Sequence, residues 1–169
     1  MNPIAILKKY YLEGSGLYNR LLTHSLSVAN KAEAIMQAHP ELKVDANFVY
    51  EAAILHDIGI FLTNAPSVDC AGTQPYMQHG RLGAELLRRE GFERHARVCE
   101  RHTGAGISLP EGDFFPETTE EKLICYADCF YSKTHLDEEK TVEQIKKSLS
   151  KYGDDAVARF ENMILEFRY

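Results

Sequence analysis

Residues Ala52 to Phe61 read AAILHDIGIF, and the reading of this stretch decides what kind of molecule the chain makes. An apolar run of helical character closes on His56 and Asp57, side by side, where another core residue is expected. A carboxylate beside an imidazole at the buried end of a helix is costly unless something compensates both. That compensation has to come from other segments.

Those segments read as helices. The dominant apolar period is helical rather than alternating, and no internal repeat or low-complexity run interrupts it. Asn2 and Pro3 form a cap and first-turn pair for a helix that Gly14 and Gly16 end. A second helix is expected from about Leu17 to Ala38, with Leu21, Ser25, Val28, Ala32 and Ile35 on one stripe, stopping before Pro40. Asp45 caps a third that ends near Gly59. From Ile60 to Tyr76 the chain is loop-like, with Pro66, Gly72 and Pro75, and so long a loop suggests a lid or pocket wall. A fourth helix covers Met77 to Glu90 with Gly91 as its stop, and a fifth runs from Glu93 to His102. A second loop closes on Thr118, three residues before Glu121, a capping-box pattern that opens a sixth helix from Thr119 to Lys133. Beyond residue 138 come two amphipathic helices divided near Gly153, expected to pack outside the core without chemistry. The fold class is therefore all-α: one domain over 1–169, with six helices contributing to a core at 17–133 and a helical extension at 138–169.

Bulk properties narrow the partners. The chain has 169 residues, 44% of them hydrophobic, enough for one well-buried domain and short for two. A net charge of -6 without any Lys/Arg-rich run argues against polymeric nucleic acid, although a small phosphorylated ligand needs only local positive groups. No apolar stretch reaches membrane-spanning length, which predicts a cytoplasmic protein without a membrane partner; a homodimer is compatible with the sequence. Cys70, Cys99, Cys125 and Cys129 fit neither a disulfide framework nor a zinc ribbon and read as core thiols.

The chemistry lies in the ionisable residues on inward stripes. His24 shares the buried side of its helix with Leu21 and Val28; His56 and Asp57 follow Ala52 and Ala53; His79 precedes Leu82; His102 follows Val98 and Cys99; Asp128 follows Ile124. Any one of these alone reads as a histidine satisfied by a carbonyl or an aspartate paired with a base. Together, four imidazoles and two carboxylates on successive helices would be a set of unmet desolvation penalties, and a divalent metal removes the difficulty. Such donors suit iron, manganese, zinc, nickel or magnesium, and six exceed one four-coordinate ion, so two ions are expected. His56 and Asp57 point about 100° apart on an ideal helix, so each meets a different ion or Asp57 bridges both. His39, His95 and His135 lie in polar surroundings and receive no role.

With His24, the doublet His56-Asp57 and the distal Asp128 in that order, the chain resembles the HD-domain metal-dependent phosphohydrolase superfamily. The strings LLTHSLSVANKA, AAILHDIG, HGRLGAELL and KLICYADCFYSK match its successive helices from about Leu17 to Lys133. The resemblance implies that His24, His56, Asp57 and Asp128 hold a first metal. His79 and His102 match the additional histidines of the binuclear branch, which includes hydrolases of dinucleoside polyphosphates and cyclic dinucleotides. The chain departs from the cyclic-dinucleotide members in having Ile60 after HDIG, a single His102 in RHTGAGIS and no GYP.

The expected reaction is metal-assisted hydrolysis of a phosphoester or phosphoanhydride of a nucleotide or other small phosphorylated metabolite, with Asp57 holding the attacking water. Phosphate donors are sought among Arg20, Arg81, Arg101 and Lys133, with Arg81 and Lys133 foremost and assigned to catalysis. Tyr76, Phe114 and Phe115 either stack on a base or pack. Two other readings stand beside this one. Some proteins of similar ligand set carry a mixed-valence di-iron centre and activate oxygen; a helical bundle also serves as a non-catalytic regulatory or binding module.

Overall fold

Helix starts written in the sequence are made by their own side chains. Asn2 accepts from the amide of Ala5, Ser15 from Tyr18 and Asp45 from Phe48, each satisfying an otherwise orphaned N–H of a first turn. Thr118 with Glu121 closes a full capping box, and Thr141 with Gln144 closes a second. In the computed structural model, described for residues 1–103, 108–109, 112–136 and 138–168, these caps open five of eight helices. They are α1 (Pro3–Tyr10), α2 (Gly16–Ala38), α3 (Ala46–Leu55), α4 (His79–Arg89), α5 (Glu93–Arg101), α6 (Thr119–Cys129), α7 (Val142–Leu149) and α8 (Asp154–Phe167). Two antiparallel ladders of two-residue strands, β1 (Asn64–Ala65) with β2 (Cys70–Ala71) and β3 (Ser108–Leu109) with β4 (Gly112–Asp113), complete an all-α architecture.

The long α2 is the spine. Its stripe of Leu21, Val28, Ala32 and Ile35 has no exposed surface and packs against α3 and α6. α3 reads as the sequence suggests, apolar on nearly every side, because it lies between α2, α1 and α5. Burying such aliphatic side chains stabilises by about 1.5–3 kcal/mol each relative to exposure.

α1 ends at Tyr10, ahead of the expected Gly14, and three further differences from expectation bear on the site. α3 stops at Leu55, so His56 to Gly59 form a turn instead of a last helical coil. α6 stops at Cys129 rather than Lys133, because the returning chain donates the Lys140 amide to the Phe130 carbonyl at 2.8 Å. The segment 60–78 is more ordered than a loop, with short 3-10 turns flanking β1 and β2.

The C-terminal helices also differ from expectation. Phe160 and Phe167 of α8 have no exposed surface, and both rings lie 5.6 Å from Tyr126 of α6. α7 buries Ile145 and Leu149. An apolar stripe on a short helix has to find a surface, and α6 supplies it. Residues 104–107 and 110–111 of the second expected loop lie outside the described residues.

Candidate metal centre

Most of the suspected donors sit at helix ends. His56 and His102 cap the C-termini of α3 and α5, His79 opens α4, and Asp128 stands next to last in α6; His24 lies within α2. Helix ends expose backbone carbonyls that need donors. His56 Nδ1 donates to the Ala53 carbonyl, His79 Nδ1 to Tyr76 and His102 Nδ1 to Cys99, all at 2.6 Å and all three residues back along the chain. The same local fold therefore repeats three times. Each bond fixes the ring and, in the neutral imidazole that a metal ligand requires, leaves Nε2 as a lone pair aimed away from its own helix.

Those lone pairs meet at Asp57. Its Oδ2 lies 3.2 Å from His24 Nε2 and 3.1 Å from His56 Nε2, while its Oδ1 lies 3.2 Å from His79 Nε2 and 3.4 Å from His102 Nε2. Asp128 Oδ1 joins the first side, 2.9 Å from His24 Nε2 and 3.4 Å from His56 Nε2. The six donors thus form two groups, His24–His56–Asp57–Asp128 and Asp57–His79–His102, with Asp57 common to both. Asp57 is the one residue the two groups share among the described residues, one carboxylate oxygen facing each group.

The residues fit a divalent cation. His24 Nε2, His56 Nε2 and both oxygens of Asp57 are fully buried and, among the described residues, make no hydrogen bond of acceptable geometry, despite their short separations. His79 Nε2 and His102 Nε2 face each other at 3.1 Å although each ring's proton is engaged on Nδ1. Two bare lone pairs at that distance repel, unless a cation lies between them. Nitrogen ligands about 2.1 Å from a common ion stand about 3.0–3.4 Å apart, the spacing seen throughout this cluster.

The electrostatics carry the same tension. Burial pulls the His56 imidazole down, but the Asp57 charge and the bonds with Asp128 override it, pushing it up to about 10. Burial holds the His102 ring below its ordinary value against the pull of Asp57, with His56 and His79 adding to the lowering. Burial works against the Asp57 and Asp128 carboxylates too; Lys133 and His56 prevail at the first, His24 and His56 at the second, and both stay well below the usual range.

The turn carrying the doublet is clamped from three sides. The Tyr11 hydroxyl donates to the Ile58 carbonyl at 2.7 Å, and the Cys99 thiol donates to the His56 carbonyl at 2.8 Å. Gly59 presses directly on α4: a Cβ there would meet the His79 carbonyl at 2.2 Å and the Gly83 amide at 2.4 Å. Sequence reasoning missed Tyr11 and the role of Cys99, since neither carries a local signal of its partner.

The four suspected phosphate donors separate sharply. Lys133, freed by the early end of α6, sets its ammonium 2.5 Å from Asp57 Oδ2 and 5.9 Å from the Tyr76 ring centre. Arg20 instead donates to the Lys133 carbonyl at 2.7 Å and pairs with Asp69, bracing the segment that bears the lysine. Arg81 pairs with Glu85 and Gln78, and Arg101 with Glu117 and the Phe115 carbonyl. Neither lines the cavity of about 260 Å³ that opens beside His79, His102, Asp128 and Lys133. Tyr76 lines it; Phe115 lies under Arg159 at a separate depression. α7 supplies a wall through Ile145, Ser148 and Leu149, so the C-terminal helices are nearer the chemistry than the sequence suggested. His39, His95 and His135 bond to Glu41, Glu51 and Thr134, away from the cluster, as expected.

Comparison with known proteins agrees with this arrangement. The chain is 32% identical over 143 residues to an uncharacterized protein, MJ0778, of Methanocaldococcus jannaschii, covering 78% of each. It is similar to proteins named tRNA (cytidine(56)-2'-O)-methyltransferase from Thermoplasma volcanium (31% identity, 88% of this chain) and Picrophilus torridus (33% identity, 70% of this chain). The matched portions span only 42% and 34% of those longer proteins. No solved structure matches the chain significantly. Among the described residues no helix is long and apolar enough to cross a membrane. The model of the HD domain matches residues 21–133, the stretch that begins just before His24 and closes on Lys133, and on that span the chain belongs to the HD-domain family.

Proposed function

We propose that the chain is a metal-dependent phosphohydrolase that cleaves a phosphoester or phosphoanhydride of a small metabolite, nucleotides included. One observation carries the reading: a single buried carboxylate, Asp57, is shared between two groups of imidazole and carboxylate side chains, of which His79, His102 and Asp128 line an open cavity together with Lys133. His24, His56, Asp57 and Asp128 would hold one ion and Asp57, His79 and His102 a second; the imidazole share favours iron, manganese, zinc or nickel over magnesium. Such ions supply Lewis acidity and a bound water of lowered pKa.

The chain's own groups do the rest. Lys133 provides the positive charge to meet a phosphoryl oxygen, and Arg20 holds its backbone in place. Tyr76 and the α7 wall exclude bulk water from one side, which strengthens every charge interaction within. In the net step a water oxygen bonds to phosphorus and gives up one proton, the bond from phosphorus to the leaving oxygen breaks, and that oxygen takes up the proton. Methyl transfer, named for the longer relatives, is not carried over to this chain, because an imidazole-carboxylate cluster is suited to a cation.

The test is elemental analysis of the purified protein together with a screen of an aryl phosphate, nucleotides and dinucleotides. Two ions per chain, with phosphate release lost in Asp57→Asn while the melting profile remains cooperative, is the expected result. Oxygen consumption by an iron-loaded protein without phosphate release would overturn the proposal in favour of an oxygenase, and a protein that binds no metal would leave only a binding module.

A further inference from the structure

The cavity beside Lys133 does not end at the metal donors. It shares Lys140 and Ser148 with a second depression of about 320 Å³, which is lined otherwise by Gln144, Lys147 and Lys151. Asp128, already engaged with His24, is the one carboxylate lining either of the two among the described residues. In a chain of net charge -6 this is a marked segregation of positive charge.

The lysines here also differ from five others of the chain. Lys8, Lys9, Lys31, Lys122 and Lys146 each lie against a glutamate. Lys140 is half-buried, and the contacts found for its ammonium among the described residues are the Cys129 and Tyr131 carbonyls at 3.5 and 3.4 Å. Lys147 and Lys151 stand four residues apart, on one side of the α7 end, with no carboxylate within ion-pair distance among the described residues. Among the described residues this half-buried cation faces only long carbonyl contacts, and an anion in the groove would add to its compensation.

We infer that this groove is a subsite for a second phosphoryl group, so that the substrate class is an oligophosphate: a chain of two or more phosphates, free or carried on a nucleoside. The inference deepens the hydrolase reading and rests on it for the fate of the phosphate nearest Lys133. The next phosphate lies toward Lys140, and Lys147 and Lys151 take the far end. The apolar wall of Ile145, Leu149 and Tyr152 leaves room for an organic carrier.

Calorimetric titration of the full chain with its metal bound, read against a blank of the same ligand into protein-free metal solution so that chelation is subtracted, tests the subsite without an activity readout. Tripolyphosphate is expected to bind more tightly than orthophosphate. The Lys147→Ala/Lys151→Ala double variant should weaken it by about tenfold or more, the loss of a charge-assisted contact, and Lys147→Arg/Lys151→Arg should retain it. Lys43→Ala/Lys122→Ala removes equal charge elsewhere and serves as control. Tripolyphosphate binding no better than orthophosphate, or an equal loss in the control, overturns the subsite. In the metal-loaded protein, absence of aryl phosphate hydrolysis overturns the hydrolase reading alone, because lysine-dependent binding stands without it. ADP and pyrophosphate, compared in the same titration, identify the carrier.

Discussion

Replacing Gly59 by alanine separates geometry from chemistry in this site, because the glycine has no polar group to lose. The added Cβ would fall 2.2 Å from the His79 carbonyl oxygen, 2.4 Å from the Gly83 amide and 2.9 Å from the Gly83 Cα. An acceptable carbon–oxygen contact is about 3.3 Å, so the turn and α4 must separate by about 1 Å. Both sides of the contact are backbone, so no rotamer change relieves it. Overpacking of this kind costs about 1–3 kcal/mol, and the absence of any yielding side chain puts Gly59→Ala at the upper end, near 3. For a chain of this size that lowers Tm by about 6–12 °C. The same separation moves His79 and Asp57 apart, from 3.2 Å, across the line joining the two donor groups. Metal affinity should fall by about 10- to 100-fold, as it does when the supports of a ligand are disturbed. Gly91→Ala is the matched control: its φ is 84°, nothing lies within 4 Å of the added carbon, and it should cost about 1 kcal/mol with metal content unchanged. Denaturant melts and elemental analysis of both variants give the answer. Gly59→Ala with wild-type stability and a full metal complement would refute the close-packing account of the turn.

Further outcomes follow from the same geometry. Removing metal with a chelator should lower stability by about 4 kcal/mol per ion at a free concentration 1,000 times Kd, seen as a large drop in Tm that re-addition restores; an unchanged Tm counts against metal in the cluster. Lys133→Gln should cut kcat/KM for a phosphate substrate by about 10- to 150-fold with metal retained, whereas Arg20→Ala, one bond further away, should give a smaller loss; equal effects would deny Lys133 a direct role. His95 gives a pH test away from the centre. Burial holds its ring below 6.5 against the pull of Glu51, with Arg94 adding to the lowering, so its share of stability is complete above pH 6.5 and is lost as pH falls through that value toward the folded one. In chelator, His95→Gln should therefore flatten the decline of Tm between about pH 7 and 5, and parallel curves for the two proteins would contradict this.

How far the sequence reached depends on the range of the physics involved. Helix starts were legible because a cap is a contact over three residues: Asn2, Asp45 and Thr118 each close on an amide three positions ahead. The six converging imidazoles and carboxylates were legible for a different reason, since each is an ionisable group on a stripe otherwise committed to the core. Helix ends were less legible. α6 stops early because the Lys140 amide arrives from outside the helix, a contact that no local pattern announces.

That early stop separates Lys133 from the arginines with which it was grouped. In the sequence Arg20, Arg81, Arg101 and Lys133 are equivalent positive charges near histidines. In the fold, three are occupied by carboxylates, backbone carbonyls or Gln78, and one reaches Asp57. The amphipathic C-terminal helices were visible as helices, but their destination was not: an apolar stripe states that a partner is needed and leaves open which surface provides it. By itself the sequence determined the all-α class, the family and the identity of the converging imidazoles and carboxylates, because periodicity, capping and the penalty for burying charge are local or additive. Only the tertiary structure decided that Asp57 is the shared group, that Lys133 is the cation beside it and that α7 walls the cavity, because each depends on distances between segments far apart in the chain.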